Sequence, residues 1–166
     1  MLALREMSDR LEVQKNIWDY ANAVDFLDFA IFDTLFLPGA KLRYGETDLT
    51  VAQAKKWLED KLTVPPLKSY YHMMGSMWIK VRGDIAESLT RCFNPMEFAQ
   101  PNGQASLWFN GIWYHWKHMR TSAGWRIAGS WDGPSGLPGG RVPGRPLDWY
   151  TPDFPADQQG PPLLPR

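Results

Sequence analysis

The sequence predicts an α+β domain in which helices come first and an antiparallel sheet follows. Three observations carry this. Apolar residues recur at helical spacing up to about residue 62. From Tyr70 the chain changes to long alternating runs, separated by short Gly- and Asn-containing turns. After Asp132 neither pattern persists, and residues 133–166 hold nine Pro and six Gly. Helices followed by a meander place the helices on one face of the sheet.

The first helix is expected over residues 8–28. Ser8 is its N-cap candidate, and Leu11, Ile17, Ala21, Val24 and Leu27 form its apolar stripe. A second short helix runs from about 28 to 36 and ends before Pro38-Gly39; a short strand follows over 40–44. Thr50 opens a third helix whose stripe is Val51, Ala54, Trp57, Leu58 and Leu62, and Val64-Pro65-Pro66 stops it. Four strands then span 70–81, 85–98, 106–121 and 125–131. They are divided by Arg82-Gly83-Asp84, Pro101-Asn102-Gly103 and Ser122-Ala123-Gly124. Residues 1–132 make one domain. Residues 133–166 form an extended tail, with Trp149, Tyr150 and Phe154 as its expected anchors.

Composition excludes several functions. The formal net charge is zero, which leaves no electrostatic footprint for nucleic acid. No apolar run approaches a membrane span. The Met-Leu-Ala-Leu-Arg-Glu-Met start is too short and charged for a secretory signal, and the single Cys92 fits a reducing compartment, so a cytoplasmic location is expected. Metal binding is a poor reading. There are three His and no Cys cluster, and His115-x2-His118 points to both faces of one strand. No Gly-rich phosphate loop or nucleophile elbow is present, and no cofactor is expected. Nine Trp and an apolar fraction of 44% suit either a packed core or the walls of an apolar pocket.

Polar groups able to move a proton stand out against this background: Tyr20 and Asp25 on the first helix, and His72 at the start of the sheet. Together with Tyr71-His72-Met73-Met74-Gly75 and the run from Tyr114 through Gly124-Trp125-Arg126-Ile127, they carry a resemblance. Over residues 5–132 the chain resembles the SnoaL-like branch of the nuclear transport factor 2-like fold. Members include scytalone dehydratase, bile-acid 7α-dehydratase, hexachlorocyclohexane dehydrochlorinase and polyketide cyclases. The resemblance implies a cone-shaped domain, with the N-terminal helices packed in a strongly curved, mostly antiparallel sheet.

It also implies a site. Asp25 and His72 match the family's dyad, with the carboxylate fixing one ring nitrogen so that the other acts as base. Asp28 and Asp19 compete for the carboxylate role, and Asp28 lies nearer the centre of the apolar stripe. Tyr20 matches an acid or hydrogen-bonding position in dehydratase relatives. Tyr44 matches a tyrosine at the pocket mouth. Asn94 stands where bile-acid dehydratase-like members carry an Asp; it can orient a hydroxyl or carbonyl but cannot act as acid or base, and Pro95 also suits it to a turn. On the third long strand Trp113 and His115 share one face, while His118 and Arg120 share the other. Trp113 and His115 are expected to face the pocket. Arg120 stands near the anion-stabilising arginine of dehydrochlorinase-like members.

The function implied is a cofactor-independent lyase, first of all a dehydratase, or an isomerase or cyclase acting on a hydrophobic small molecule, as in secondary metabolism. A non-catalytic binding or assembly subunit and an epoxide hydrolase are the alternatives. A homo-oligomer, dimer or trimer, is the expected state.

Overall fold

The structure is a computed structural model that describes residues 3–44 and 47–130 and the backbone of residues 147–148. Its first helix, α1 (Leu4–Asp25), starts a turn earlier than expected. Ala3 occupies the cap position without a side-chain cap, and Ser8 lies exposed inside the helix. The buried stripe also differs. Val13, Ile17, Tyr20 and Val24 face the sheet at spacings of three and four, with Asp9 and Asn16 continuing that face toward the start. Leu11 and Leu27 point outward, being 63% and 40% exposed.

The end of α1 positions the site. Leu27 adopts a left-handed φ of 56°. The Asp28 N–H donates to the Ala23 carbonyl (2.8 Å) and the Leu27 N–H to the Val24 carbonyl (3.2 Å), the 6→1 and 5→2 bonds of a Schellman motif. A leucine takes this conformation at some strain. The chain leaves α1 through a 3-10 turn (Phe29–Ile31) and a single turn, α2 (Phe32–Leu35), in place of one continuous second helix.

Strand β1 (Phe36–Tyr44) pairs antiparallel with β2 (Thr47–Thr50) and parallel with β7 (Gly124–Ser130). This parallel pair is the sheet's one departure from antiparallel pairing among the described strands. Gly129 is needed there. Its φ is 137°, and a Cβ would lie 2.8 Å from the Lys41 carbonyl oxygen. Helix α3 (Val51–Leu62) begins at Thr50 as expected, through a capping box in which Thr50 Oγ1 accepts from the Gln53 N–H and Gln53 Oε1 accepts from the Thr50 N–H.

The expected strand over 70–81 is two strands, β3 (Leu67–Tyr70) and β4 (Met73–Arg82), both lying along β5 (Ile85–Ala99). The long strand β6 (Ala105–Thr121) pairs with β5 over its whole length and with β7 at its end. Through Asn110–Gly111 it also meets the short β8 (Leu147–Asp148). Trp149, Tyr150 and Phe154 lie outside the described residues.

The fold is thus α+β, with a curled, mixed but mostly antiparallel sheet in the order β2-β1-β7-β6-β5-β3. Helix α1 packs against β4 and β7. Its apolar face joins Phe32, Phe36, Leu58, Trp116 and Ile127 in the main core. A second cluster under its first half holds Val13, Ile79, Ala86 and Trp125.

Candidate active site

Register decides which side chains meet α1. Thr90 lies opposite Met77 on β4 and Tyr114 on β6, and Cys92 lies opposite Met74 and Ile112. Directly paired residues share a face. Met74, Met77 and Tyr114 pack against the core that α1 builds, so the even-numbered side chains of β5 and β6 face inward over this stretch.

Asp25, the last residue of α1, meets His72 on that inner side. Asp25 Oδ1 lies 2.6 Å from His72 Nδ1, and Asp25 Oδ2 accepts the His72 backbone N–H at 2.8 Å. One carboxylate thus grips both the ring and the main chain. The grip has a sequence cause. Tyr70 is opposite Met96 and Met73 opposite Phe93, so Tyr71 and His72 fall opposite Pro95 and Asn94, where the ladder is interrupted. With the ladder open here, the His72 N–H donates to the carboxylate; Pro95, which has no N–H, adds no ladder bond of its own at this point. Three further bonds hold this corner: the two of the Schellman end of α1, and the Tyr70 hydroxyl donating to the Val24 carbonyl at 3.0 Å. All three satisfy carbonyls that a helix end leaves open. A carboxylate at a helix C-terminus faces the negative end of the dipole, and the two contacts with His72 offset that cost.

The competing carboxylates are elsewhere. Asp28 is exposed and precedes the 3-10 turn. Asp19 pairs with Lys15 one turn away on the outside of α1.

Phenols surround the inner side of the dyad. The Tyr114 and His72 rings lie 6.3 Å apart, and the Tyr20 and Tyr114 rings 5.4 Å apart. The Tyr20 and Tyr44 hydroxyls are hydrogen-bonded at 2.7 Å. Tyr44 stacks on Trp57 of α3 at 4.8 Å. Burial, with the neighbouring phenols, pushes Tyr20, Tyr44 and Tyr114 well above the ordinary phenol pKa, so they serve as neutral donors. The Cys92 thiol is pushed up to about 12, by burial and then by the Asp25 charge, and is not a nucleophile at neutral pH. Asn94 is in mid-strand, not in a turn. It is buried, stands opposite His72 in register, and its Oδ1 has no partner among the described residues.

Three sequence-derived candidates lie away from this site. Trp113 and His115 occupy the outer face, the reverse of the expectation: the Arg91 guanidinium sits 4.7 Å over the Trp113 ring, and His115 Nε2 meets Glu87 Oε1 at 2.7 Å. Arg120 is inward but bound to the start of α1. It donates to both Asp9 oxygens at 2.7 Å and to Asp84 at 2.9 Å. Asp9 precedes Asp25 by sixteen residues of helix, roughly 24 Å along the axis. Arg120 therefore cannot stabilise an anion at His72.

The inward residue that sequence reasoning missed is Tyr114. The signal was present in the two-residue turn Ser122-Ala123. It pairs Arg120 with Trp125 and places His118 opposite Ile127. Trp125 and Ile127 are apolar and face the core, so residues 120, 118, 116 and 114 follow them inward.

This architecture has known counterparts. The sequence matches the SnoaL-like domain over residues 5–130. The chain belongs to the SnoaL-like family. Uncharacterised proteins of Mycobacterium tuberculosis and Mycobacterium bovis are each 41% identical to it over 130 residues, covering 76% of this chain and 86% of theirs. Among solved structures, a hexachlorocyclohexane dehydrochlorinase superposes with a TM-score of 0.63 at 15% identity, covering 76% of this chain and 84% of that one. A provisionally assigned scytalone dehydratase of Novosphingobium aromaticivorans gives 0.62 at 16%, with coverage of 84% and 96%. At such identities these likenesses establish the nuclear transport factor 2-like fold that SnoaL-like proteins share. No described helix of this SnoaL-like chain is long and apolar enough to cross a membrane.

Proposed function

We propose that this SnoaL-like protein is a cofactor-independent lyase, most simply a dehydratase, or an isomerase or cyclase, acting on an apolar small molecule through proton transfer at His72. The observation that carries the reading is the double grip of Asp25 on His72, at 2.6 Å to Nδ1 and 2.8 Å to the backbone N–H. With a proton held on Nδ1, Nε2 is left as the base. In a dehydration Nε2 removes a proton from carbon. The C–H electron pair becomes the new C=C bond, and the neighbouring C–O bond breaks with its electrons on oxygen. A phenol supplies the proton that turns the departing hydroxide into water, and the imidazolium returns its proton to the phenolate. Asn94 Oδ1 accepts a hydrogen bond from a substrate hydroxyl. The aromatic surroundings limit competing water.

Relatives named as dehydrochlorinase and scytalone dehydratase support an elimination on this fold. The test is deuterium wash-in. The wild-type protein, incubated in D2O with a panel of hydroxylated bicyclic ketones, is expected to speed deuterium incorporation beside the carbonyl of at least one member. His72→Ala is expected to abolish the acceleration. Incorporation by the wild type no faster than without protein would replace the enzyme reading with that of a binding protein, and equal acceleration by both proteins would remove His72 as the base.

A further inference from the structure

Resting on that reading, we propose that Tyr114 is the group that donates to the substrate's oxygen, with Tyr20 and Tyr44 behind it as positioning residues. Access separates Tyr114 from Tyr20, and the bond between Tyr44 and Tyr20 separates it from Tyr44. Tyr20 is 1% exposed, and its ring is enclosed by Phe32, Phe36, Tyr114 and Trp116. Its hydroxyl is already bonded to Tyr44 at 2.7 Å. Tyr114 is only partly buried and sits beside the dyad, with its ring 6.3 Å from that of His72. That spacing suits a carbon–oxygen unit touching both groups, a C–H toward Nε2 and the oxygen toward the phenol.

The phenols also pack on one another: the Tyr20 ring lies 5.4 Å from that of Tyr114, and the Tyr20 hydroxyl is bonded to that of Tyr44 at 2.7 Å. Burial holds all three above the ordinary phenol range and keeps them protonated, as a donor requires. Tyr44, anchored on Trp57, holds the far end of this group.

The placement names a substrate class: an apolar ring skeleton with an oxygen one or two bonds from an acidic C–H, such as an enolisable ketone or its β-hydroxy derivative. As Nε2 takes the proton, the C–H pair moves into a new C=C bond and the carbonyl π pair moves onto oxygen. Tyr114 hydrogen-bonds the enolate so formed. The proton then returns from the imidazolium to carbon; or the enolate oxygen re-forms the carbonyl, the enolate C=C pair becomes the new Cα=Cβ bond, the C–O bond breaks with its pair on oxygen, and the imidazolium proton passes to the departing hydroxide to give water.

The test uses 4-nitrophenol, whose absorbance separates phenol from phenolate and whose ring and oxygen mimic the enolate. Wild-type protein is expected to bind it with the phenolate favoured. Tyr114→Phe is expected to weaken phenolate binding roughly 10–100-fold, and Tyr20→Phe less. Tyr114→3-fluorotyrosine, which keeps the shape but is more acidic, is expected to tighten it. Phenolate binding unchanged by both Tyr114 substitutions, or no binding by the wild type, overturns the inference. A loss confined to Tyr20→Phe overturns it too, making Tyr20 the donor while the enzyme reading stands. Should His72→Ala ionise the bound probe as the wild type does, the dyad reading itself falls, whatever Tyr114 does.

Discussion

Two carboxylate–imidazole pairs lie on opposite faces of the same sheet. Asp25 and His72 meet at 2.6 Å on the inner face, and Glu87 and His115 at 2.7 Å on the outer face. Their distances are alike, and the side chains of both histidines are almost fully covered, at 7% and 8% exposure. Their settings differ. Glu87 and His115 sit on adjacent, regularly paired strands, where a cross-strand contact is ordinary sheet chemistry. Asp25 and His72 meet where a helix ends in a Schellman turn and the ladder along β5 is interrupted. Among the described residues, the phenols of Tyr20, Tyr44 and Tyr114 gather on the inner side. On the proposed reading, the irregular backbone and the phenols beside Asp25 and His72 are what distinguish that pair from Glu87 and His115.

The largest expected effect separates the two pairs directly. His72→Ala and Asp25→Asn are each expected to slow proton transfer by roughly 10²–10⁴-fold, and the double variant little more than the worse single one. Glu87→Gln and His115→Asn are expected to leave the same rate within a few-fold. A rate loss on the outer face comparable to that on the inner face would break the comparison.

Next in size is a stability effect without a catalytic one. Arg120 ties β6 to Asp9 and to the β4–β5 turn, and lies over the Trp125 ring at 4.6 Å. The Arg120 guanidinium holds the Asp9 carboxyl below its usual pKa. Arg120→Ala is expected to lower the melting temperature by several degrees while proton transfer by the folded protein persists. Loss of activity with an unchanged melting temperature would return Arg120 to the site.

A third imidazole sharpens the contrast through pH. His118 is fully buried, with Nε2 2.8 Å from Ser88 Oγ, and burial lowers its pKa to about 3. Its folded pKa lies below the unfolded value, so the unfolded chain takes up the proton first as pH falls. Stability from this group is complete above about pH 6.5 and declines between there and about pH 3, by about 1.4 kcal/mol per unit. Urea midpoints of the His118→Leu/Ser88→Ala double variant are expected to fall less steeply over that window than those of the wild type. Parallel slopes would mean that His118 is protonated within the fold.

The smallest effect concerns the turn behind Asp25. Leu27→Gly is expected to relieve the left-handed strain and raise stability by about 1 kcal/mol. Thermal melts that show destabilisation would mean that the Leu27 side chain, not its backbone conformation, holds the helix end.

The legible parts of the sequence were those that local chemistry controls. The Thr50 start of α3, the turns at 82–84 and 122–124 and the order of helices and strands all follow from short stretches of chain. The α+β class rested on them, and the SnoaL-like resemblance on that order together with the motifs around Tyr20, Asp25, His72 and Tyr114 to Ile127. The parity of β6 was also encoded, but only through its pairing with Trp125 and Ile127. Read in isolation, its alternating aromatics fit either face, so Trp113 and His115 were expected inside and Tyr114 went unnoticed. The start of α1 lacked a capping side chain to mark it. The meeting of Asp25 with His72 depends on residues 47 apart in sequence. Only the resemblance suggested it, because stripe geometry alone favoured Asp28. The break opposite Pro95 needed the register of three strands before its consequence for the His72 N–H could be seen.

The central claim is that Asp25 fixes His72 with its proton on Nδ1 and leaves Nε2 as the base. Two-bond ¹⁵N–¹H correlations of the histidine rings test it without any substrate, with His72→Ala giving the assignment. Where the ring is neutral, the wild type is expected to show His72 with a protonated Nδ1 and a bare Nε2. Asp25→Asn is expected to lose that single form, either to a mixture or to the Nε2-protonated tautomer. A wild-type ring protonated on Nε2, or a tautomer unaffected by Asp25→Asn, would contradict the account.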